Sequence, residues 1–135
     1  MDKLFLDANV LFTAAHNPGG KAAFLFDELG ARRWTLVSSR FAIEEARRNI
    51  AAKYPQCQDR LMQLAERVIE AAQPAPREVP IDLPAKDQPI FLAAQAAGAT
   101  HLLTGDLQHF GPHMNRPEKS GGVVIQTVAD YLAGL

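Results

Sequence analysis

Residues 4–11 read Leu4-Phe5-Leu6-Asp7-Ala8-Asn9-Val10-Leu11. A short apolar run closed by an acid is the pattern of a strand buried on both faces. Residues 8–15 then carry helical spacing, which Asn17-Pro18-Gly19-Gly20 breaks. The same alternation recurs outward from this stretch. Residues 34–37 read as a second strand, and Ser38 and Ser39 offer N-cap oxygens to a helix over residues 40–53. Residues 87–97 form the best helix in the chain, stopped by Gly98. His101-Leu102-Leu103 is a further strand, turned by Thr104-Gly105-Asp106. Val123-Val124-Ile125 is the last strand, and residues 127–135 close the chain as a helix.

Three stretches lie between these. Residues 21–29 place Ala22, Phe24, Leu25 and Leu29 at helical spacing, with Gly30 as the stop. Pro55 opens a helix predicted to reach about Ala72, with Leu61, Leu64, Ala65, Val68 and Ile69 on one face. Residues 73–84 hold Pro74, Pro76, Pro80 and Pro84, which excludes helix and leaves room only for a short strand near Glu78-Val79. Residues 111–122 read as loop, and no internal repeat is visible. Short apolar strands alternating with helices predict an α/β fold, a parallel sheet covered by helices on both faces. Phe24, Phe26, Phe41 and Phe91 are expected in its core. Trp34 is expected in the core or at its rim, though at the start of a strand it could also stack on a base.

The chain has 135 residues, which suits a single domain over 1–135. Hydrophobic residues make up 47% and charged residues 21%, enough to bury a core. A net charge of -1 lacks the basic footprint of a nucleic-acid binder, so any RNA contact must come from a local patch or through bound metal. One cysteine, Cys57, cannot form an internal disulfide and suits a reducing cytoplasm. With no apolar run of about 18 residues to span a membrane, a soluble cytoplasmic protein is expected.

In parallel sheets, sites form beyond the carboxyl ends of the strands. Asp7 and Asp106 each follow a predicted strand, Glu45 lies in the helix after another, and Asp87 begins a helix. Four acids would thus converge on one edge. Two unit charges about 4 Å apart repel by roughly 4 kcal/mol at an effective dielectric near 20. Such groups take up protons or recruit cations. Oxygen donors, with no cysteine pair and no convincing histidine pair, favour Mg²⁺ or Mn²⁺ over zinc. Metal held there would activate water and stabilise charge developing on phosphate, which is phosphodiester hydrolysis without a protein nucleophile. Singly, each acid has a plainer reading. Asp7 and Asp106 could be helix caps, Glu45 a solvated helix residue, and Asp87 a charge favoured by the helix dipole.

At this point the sequence resembles the PIN-domain family. Leu6-Asp7-Ala8-Asn9-Val10-Leu11 looks like its opening LD-x-N-VL motif, and Ser39 through Glu45 is similar to its serine followed by a helix bearing the second acid. Lys86-Asp87-Gln88-Pro89-Ile90-Phe91-Leu92-Ala93-Ala94 looks like the third-acid helix. Leu102-Leu103-Thr104-Gly105-Asp106 resembles the LLTGD turn, and Leu107-Gln108-His109-Phe110-Gly111 continues a pattern of bacterial members.

The resemblance implies a three-layer α/β/α sandwich with a central parallel sheet of four to five strands. It implies a Mg²⁺- or Mn²⁺-dependent endoribonuclease acting on single-stranded RNA. It further implies kinship with VapC-type toxins, which are inhibited by a small antitoxin and often homodimeric. Carried over by position, Asp7, Glu45, Asp87 and Asp106 would be the catalytic, metal-binding acids, with Ser39, Asn9 and Thr104 in support. Glu44 and Glu45 point about 100° apart on a helix, so both cannot face the site; counting from Ser39 favours Glu45. Many relatives place another acid after the TGD turn, where this chain has Gln108 and His109. That departure implies one firmly held metal and a second recruited with substrate.

Arg40 and Arg47, about two turns apart on one helix face, and Lys86 are candidate RNA contacts, with a solvated face as the alternative. His109 and His113 lie four apart, but a loop with Gly111 and Pro112 would not hold them as a zinc pair, so His109 is expected solvated or RNA-facing. His16 and His101 are expected to be structural. Arg60, Glu66, Arg67 and Glu70 read as exposed helix charges. Two other functions compete with the nuclease. A haloacid-dehalogenase-like phosphatase would want an acid where Asn9 stands. A non-catalytic PIN-like module would bind RNA or protein and cut nothing.

Overall fold

Strand β1 (Asp2–Leu6) runs through the middle of the sheet, and its last three residues are fully buried, as an uninterrupted apolar run demands. It is followed by α1 (Ala8–His16), α2 (Lys21–Phe24), β2 (Trp34–Ser39) and α3 (Arg40–Lys53). A short 3₁₀ turn (Pro55–Cys57) leads into α4 (Gln58–Ala65), then β3 (Ile69–Ala71) and α5 (Gln88–Ala96). Strand β4 (His101–Leu103), a second 3₁₀ turn (Gly111–His113), β5 (Val124–Gln126) and α6 (Val128–Ala133) complete the order. This computed structural model describes residues 1–27 and 32–135. The helix expected over residues 21–29 is shorter: α2 ends at Phe24, and residues 25–27 form a turn, while Leu29 and the expected stop at Gly30 lie outside the described residues.

The five strands lie in the order β3-β2-β1-β4-β5 and all pairs are parallel. Helix α1 packs against α2, α3 and α4, while α5 lies against β2 and β4, giving a three-layer α/β/α sandwich. The register Leu6↔Leu103 between β1 and β4 brings the residues that follow each strand side by side. Ser38 secures the second strand to the same edge, its Oγ donating to the Leu6 carbonyl at 2.8 Å. Ser39 caps α3 as expected, its Oγ accepting from Ala42 N–H at 3.2 Å. Gly98, with φ +70°, ends the α5 segment in a conformation that disfavours any side chain.

Four further expectations need correction. The helix opened by Pro55 stops at Ala65 rather than reaching Ala72, because Ile69–Ala71 pairs with β2 in the register Val37↔Ile69. The apolar period continues through Val68 and Ile69, but the edge of β2, with backbone groups to be paired, takes Ile69–Ala71 as a strand. No strand forms near Glu78-Val79. Phe24 and Phe41 are half-exposed, whereas Phe26 and Phe91 are in the core as expected. Arg60 and Arg67 are not free surface charges: Arg60 Nε donates to the Ala14 carbonyl at 3.3 Å and Arg67 Nη1 to that of Phe26 at 2.8 Å. Trp34 is buried and donates Nε1–H to the Leu25 carbonyl, which leaves it no face for a base.

Candidate metal centre at the carboxyl edge of the sheet

The two loops that leave β1 and β4 are joined residue by residue. Asp7 N–H donates to the Leu103 carbonyl at 3.0 Å. Asp7 Oδ1 accepts from Ala8 N–H at 2.7 Å, capping α1. Its Oδ2 accepts from the Thr104 hydroxyl at 2.8 Å and from Asn9 Nδ2 at 3.2 Å. Asn9 Oδ1 in turn accepts from Gly105 N–H at 2.7 Å. A Cβ at position 105 would stand 3.3 Å from that oxygen, so this turn is close-fitting as well as short. Asn9 and Thr104 therefore orient Asp7 and hold the two loops together.

Asp7 is only 5% exposed. Burial pushes its carboxyl up to about 6, and the charges of Glu45 and Asp87 add to the rise, against the pull of the Thr104 and Ala8 hydrogen bonds. Asp87, at the N-terminus of α5, is 9% exposed and caps nothing with its side chain. Its carboxyl is also raised, first by burial, and by Asp106; His109 and Lys86 pull the other way. Asp87 Oδ2 is buried and accepts no hydrogen bond from the described residues. His109 Nδ1 lies 3.1 Å from it, but that nitrogen sits at 2.7 Å from Asp106 Oδ2, and one N–H serves one acceptor well. Asp106 Oδ1 accepts from His109 N–H at 3.1 Å, which fixes the turn.

Glu45 reaches the same place from α3. A cleft of about 380 Å³ is lined by Asp7, Glu45, Asp87 and Asp106 together with Asn9, Asn49, Lys53 and Lys86. All four acids singled out in the sequence are thus brought together, from four separate segments of the chain. Glu44 turns away to Arg40 at 3.9 Å and Arg47 at 3.7 Å, so the cleft carboxylate is Glu45. Arg40 also approaches Glu70 at 3.6 Å. The two arginines pair on the α3 surface, and Lys86, not either of them, lines the cleft. Ser39 contributes through the cap of α3 and does not line the cleft.

His109, expected solvated or RNA-facing, is not solvated: its side chain is only 23% exposed and turns toward the acids, with its backbone N–H donating to Asp106 Oδ1 and its Nδ1 at 2.7 Å from Asp106 Oδ2. His113 goes elsewhere, with Nε2 at 2.8 Å from the Asp82 carbonyl, so the two histidines form no pair. His16 stacks on Tyr54 and His101 meets Tyr131 edge-on, both structural roles. Lys53 and Asn49 were missed in the sequence, although Glu45, Asn49 and Lys53 recur every fourth residue and so share a helix face.

The donor set suits a hard divalent cation. Four carboxylates line one cleft, one buried oxygen lacks any donor, and Asp87, Asp106 and His109 place ligand atoms within 4.8 Å of one another.

Fold and cleft together define a PIN-like domain with an acidic group able to hold a metal ion. Solved structures bear on the fold. The chain superposes on a chain of VapBC2 from Rickettsia felis, bound to a DNA fragment from their promoter, with a TM-score of 0.64 and 16% identity, covering 93% of this chain and 98% of that one. VapBC-1 from nontypeable Haemophilus influenzae matches with a TM-score of 0.60 and 18% identity, over 94% and 98%. FitAB bound to an IR36 DNA fragment matches with 0.58 and 18%, over 93% and 94%. These are toxin–antitoxin complexes whose toxin is a PIN domain, and at such identity the likeness establishes a shared fold. No family model and no curated protein matches the sequence.

Proposed function

We propose that this chain is a divalent-metal-dependent endoribonuclease that hydrolyses phosphodiester bonds in single-stranded RNA. The observation that carries the reading is the meeting of Asp7, Glu45, Asp87 and Asp106 in one cleft, with Asp7 buried and Asp87 Oδ2 left without a donor. Leaving a carboxylate oxygen buried and unmatched costs on the order of 1–3 kcal/mol. A cation between the carboxylates removes that cost and the mutual repulsion together.

Asp7, Glu45, Asp87 and Asp106 would hold Mg²⁺ or Mn²⁺. When bound, the ion supplies an activated water and stabilises negative charge on the scissile phosphate. The chain's own groups do the rest. Thr104, Asn9 and Ala8 N–H fix both oxygens of Asp7, so its carboxylate is aimed before anything binds. Lys53 and Lys86 line the cleft and bring positive charge to flanking phosphates that the overall charge of -1 does not attract. Lysine serves here as a point charge, tolerant of the bases on either side.

The fold shared with chains of VapBC and FitAB complexes, over more than nine-tenths of the chain, supports a toxin role with a small antitoxin as partner; a homodimer as the working form is part of the same proposal. The test is cleavage of single-stranded RNA across metals by wild type and Asp7→Asn side by side. Cutting in Mn²⁺ or Mg²⁺ that disappears in the variant is the expected result. Metal-dependent cutting that survives both Asp7→Asn and Asp106→Asn overturns the reading, and tight RNA binding with no cleavage would favour a binding module instead.

A further inference from the structure

Gln108 and His109 stand after the TGD turn, where the resemblance would place an acid, and His109 there is neither a core residue nor a free surface one. Its backbone N–H is bound by Asp106 Oδ1, and its neighbour Phe110 is fully buried, so the imidazole is held against the acids. Nδ1 lies 2.7 Å from Asp106 Oδ2 and 3.1 Å from Asp87 Oδ2. Adjacent ligands on an octahedral ion with bonds of about 2.1 Å stand roughly 3.0 Å apart. Both carboxylate oxygens therefore stand at that spacing from the histidine nitrogen, and the ligand atoms of the three residues lie within 4.8 Å of one another.

We propose that His109 is itself a metal ligand, and that Asp87, Asp106 and His109 form a mixed oxygen–nitrogen seat that selects Mn²⁺ over Mg²⁺. The inference rests on the metal-nuclease reading and narrows it to one ion. Asp87 Oδ2 is the independent sign of a ligand: nine-tenths of its residue is buried, it faces the histidine nitrogen, and no donor serves it. The oxygens of Asp7 differ, since three donors already occupy them. With the ring proton on Nε2, the Nδ1 lone pair becomes available as a third ligand beside the two carboxylates. Mg²⁺ demands oxygen and sheds water reluctantly, whereas first-row transition ions accept imidazole. A nitrogen in the seat therefore separates the two ions where a fifth carboxylate would not.

The experiment compares Mn²⁺ and Mg²⁺ binding to the full chain by calorimetry, with pulsed electron paramagnetic resonance of the Mn²⁺ form. Wild type should show a directly bound ¹⁴N. His109→Ala should lose that signal and bind Mn²⁺ about tenfold or more weakly, with Mg²⁺ affinity changed less than about twofold. His109→Asp should lose the nitrogen signal and gain Mg²⁺ affinity relative to Mn²⁺, which keeps the test independent of any damage done by alanine. Mn²⁺ bound without nitrogen coupling, or equal losses for both ions in His109→Ala, overturns the assignment and leaves the nuclease reading in place. No binding of either ion to wild type overturns both.

Discussion

Strands β1 and β4 carry polar residues at both ends, and the two ends are settled differently. At the amino end every group named has a partner. Asp2 Oδ2 accepts from the Tyr131 hydroxyl at 2.7 Å, Lys3 Nζ donates to the Ala97 carbonyl at 3.0 Å, and Lys3 N–H donates to Thr100 Oγ1 at 2.9 Å. At the carboxyl end acceptors outnumber donors: the Asp7 carboxyl is pushed up to about 6, and Asp87 Oδ2 has no donor. One sheet thus has an end that contributes to stability and an end that gives some up. An excess of acceptors is what a cation site requires, and it is the price of having one.

The largest expected contrast between the ends is in rate. Asp7→Asn should lower Mn²⁺-dependent RNA cleavage by roughly 10³-fold or more, while Tyr131→Phe at the other end leaves it unchanged, as read by single-turnover assays on both. Equal effects would mean that the acidic end is not special.

Next comes the pH dependence of stability. Asp7 titrates at about 6 when folded and near 3.8 when unfolded, so between those values the native state holds a proton that the unfolded chain has released. Stability should therefore fall as pH rises from about 4 to about 6, by up to about 3 kcal/mol at 1.36 kcal/mol per unit. Urea unfolding of wild type and Asp7→Asn across this window isolates the contribution, because the asparagine variant should lack it. A curve of the same slope in both would show that Asp7 is not the group responsible.

Divalent ions should reverse that loss. Saturation with Mn²⁺ at about a hundred times its dissociation constant stabilises a protein by about 2.7 kcal/mol. The gain should be larger at pH 7.5 than at pH 5, where a proton competes for Asp7, and thermal midpoints with and without ion at both values will check it. The smallest effect belongs to the satisfied end. Tyr131→Phe should cost about 1 kcal/mol, the ordinary value of one hydrogen bond to a charged or polar partner, and should respond little to added metal.

The sheet was legible wherever local signals agreed. The Leu4-Phe5-Leu6 run, the Ser39 cap of α3 and the Gly98 stop each appear where the pattern places them. Strand β3 was not legible, because Leu61, Leu64, Val68 and Ile69 keep helical period to the end and only the presence of β2 alongside turns Ile69 into a strand residue. In the cleft, the four acids could be gathered from their places after strands and at helix starts. Lys53 could have been found from the four-residue spacing that begins at Glu45. His109 could not, since its inward turn depends on Asp106 and Asp87, which meet only through the fold.

Thr104 meets Asp7 across 97 positions of sequence. Asp7, Glu45 and Asp87 all precede β4, so a chain still being synthesised carries three of the four acids before it has the strand that brings the fourth beside them. At ribosomal speeds of about 5–20 residues per second, that interval lasts seconds. A long-range closure of this kind is slow to form and all-or-none in its result. A nascent or prematurely terminated product ending before β4 would therefore lack the assembled cleft, and on the proposed function competence toward RNA would arrive only once β4 has been made.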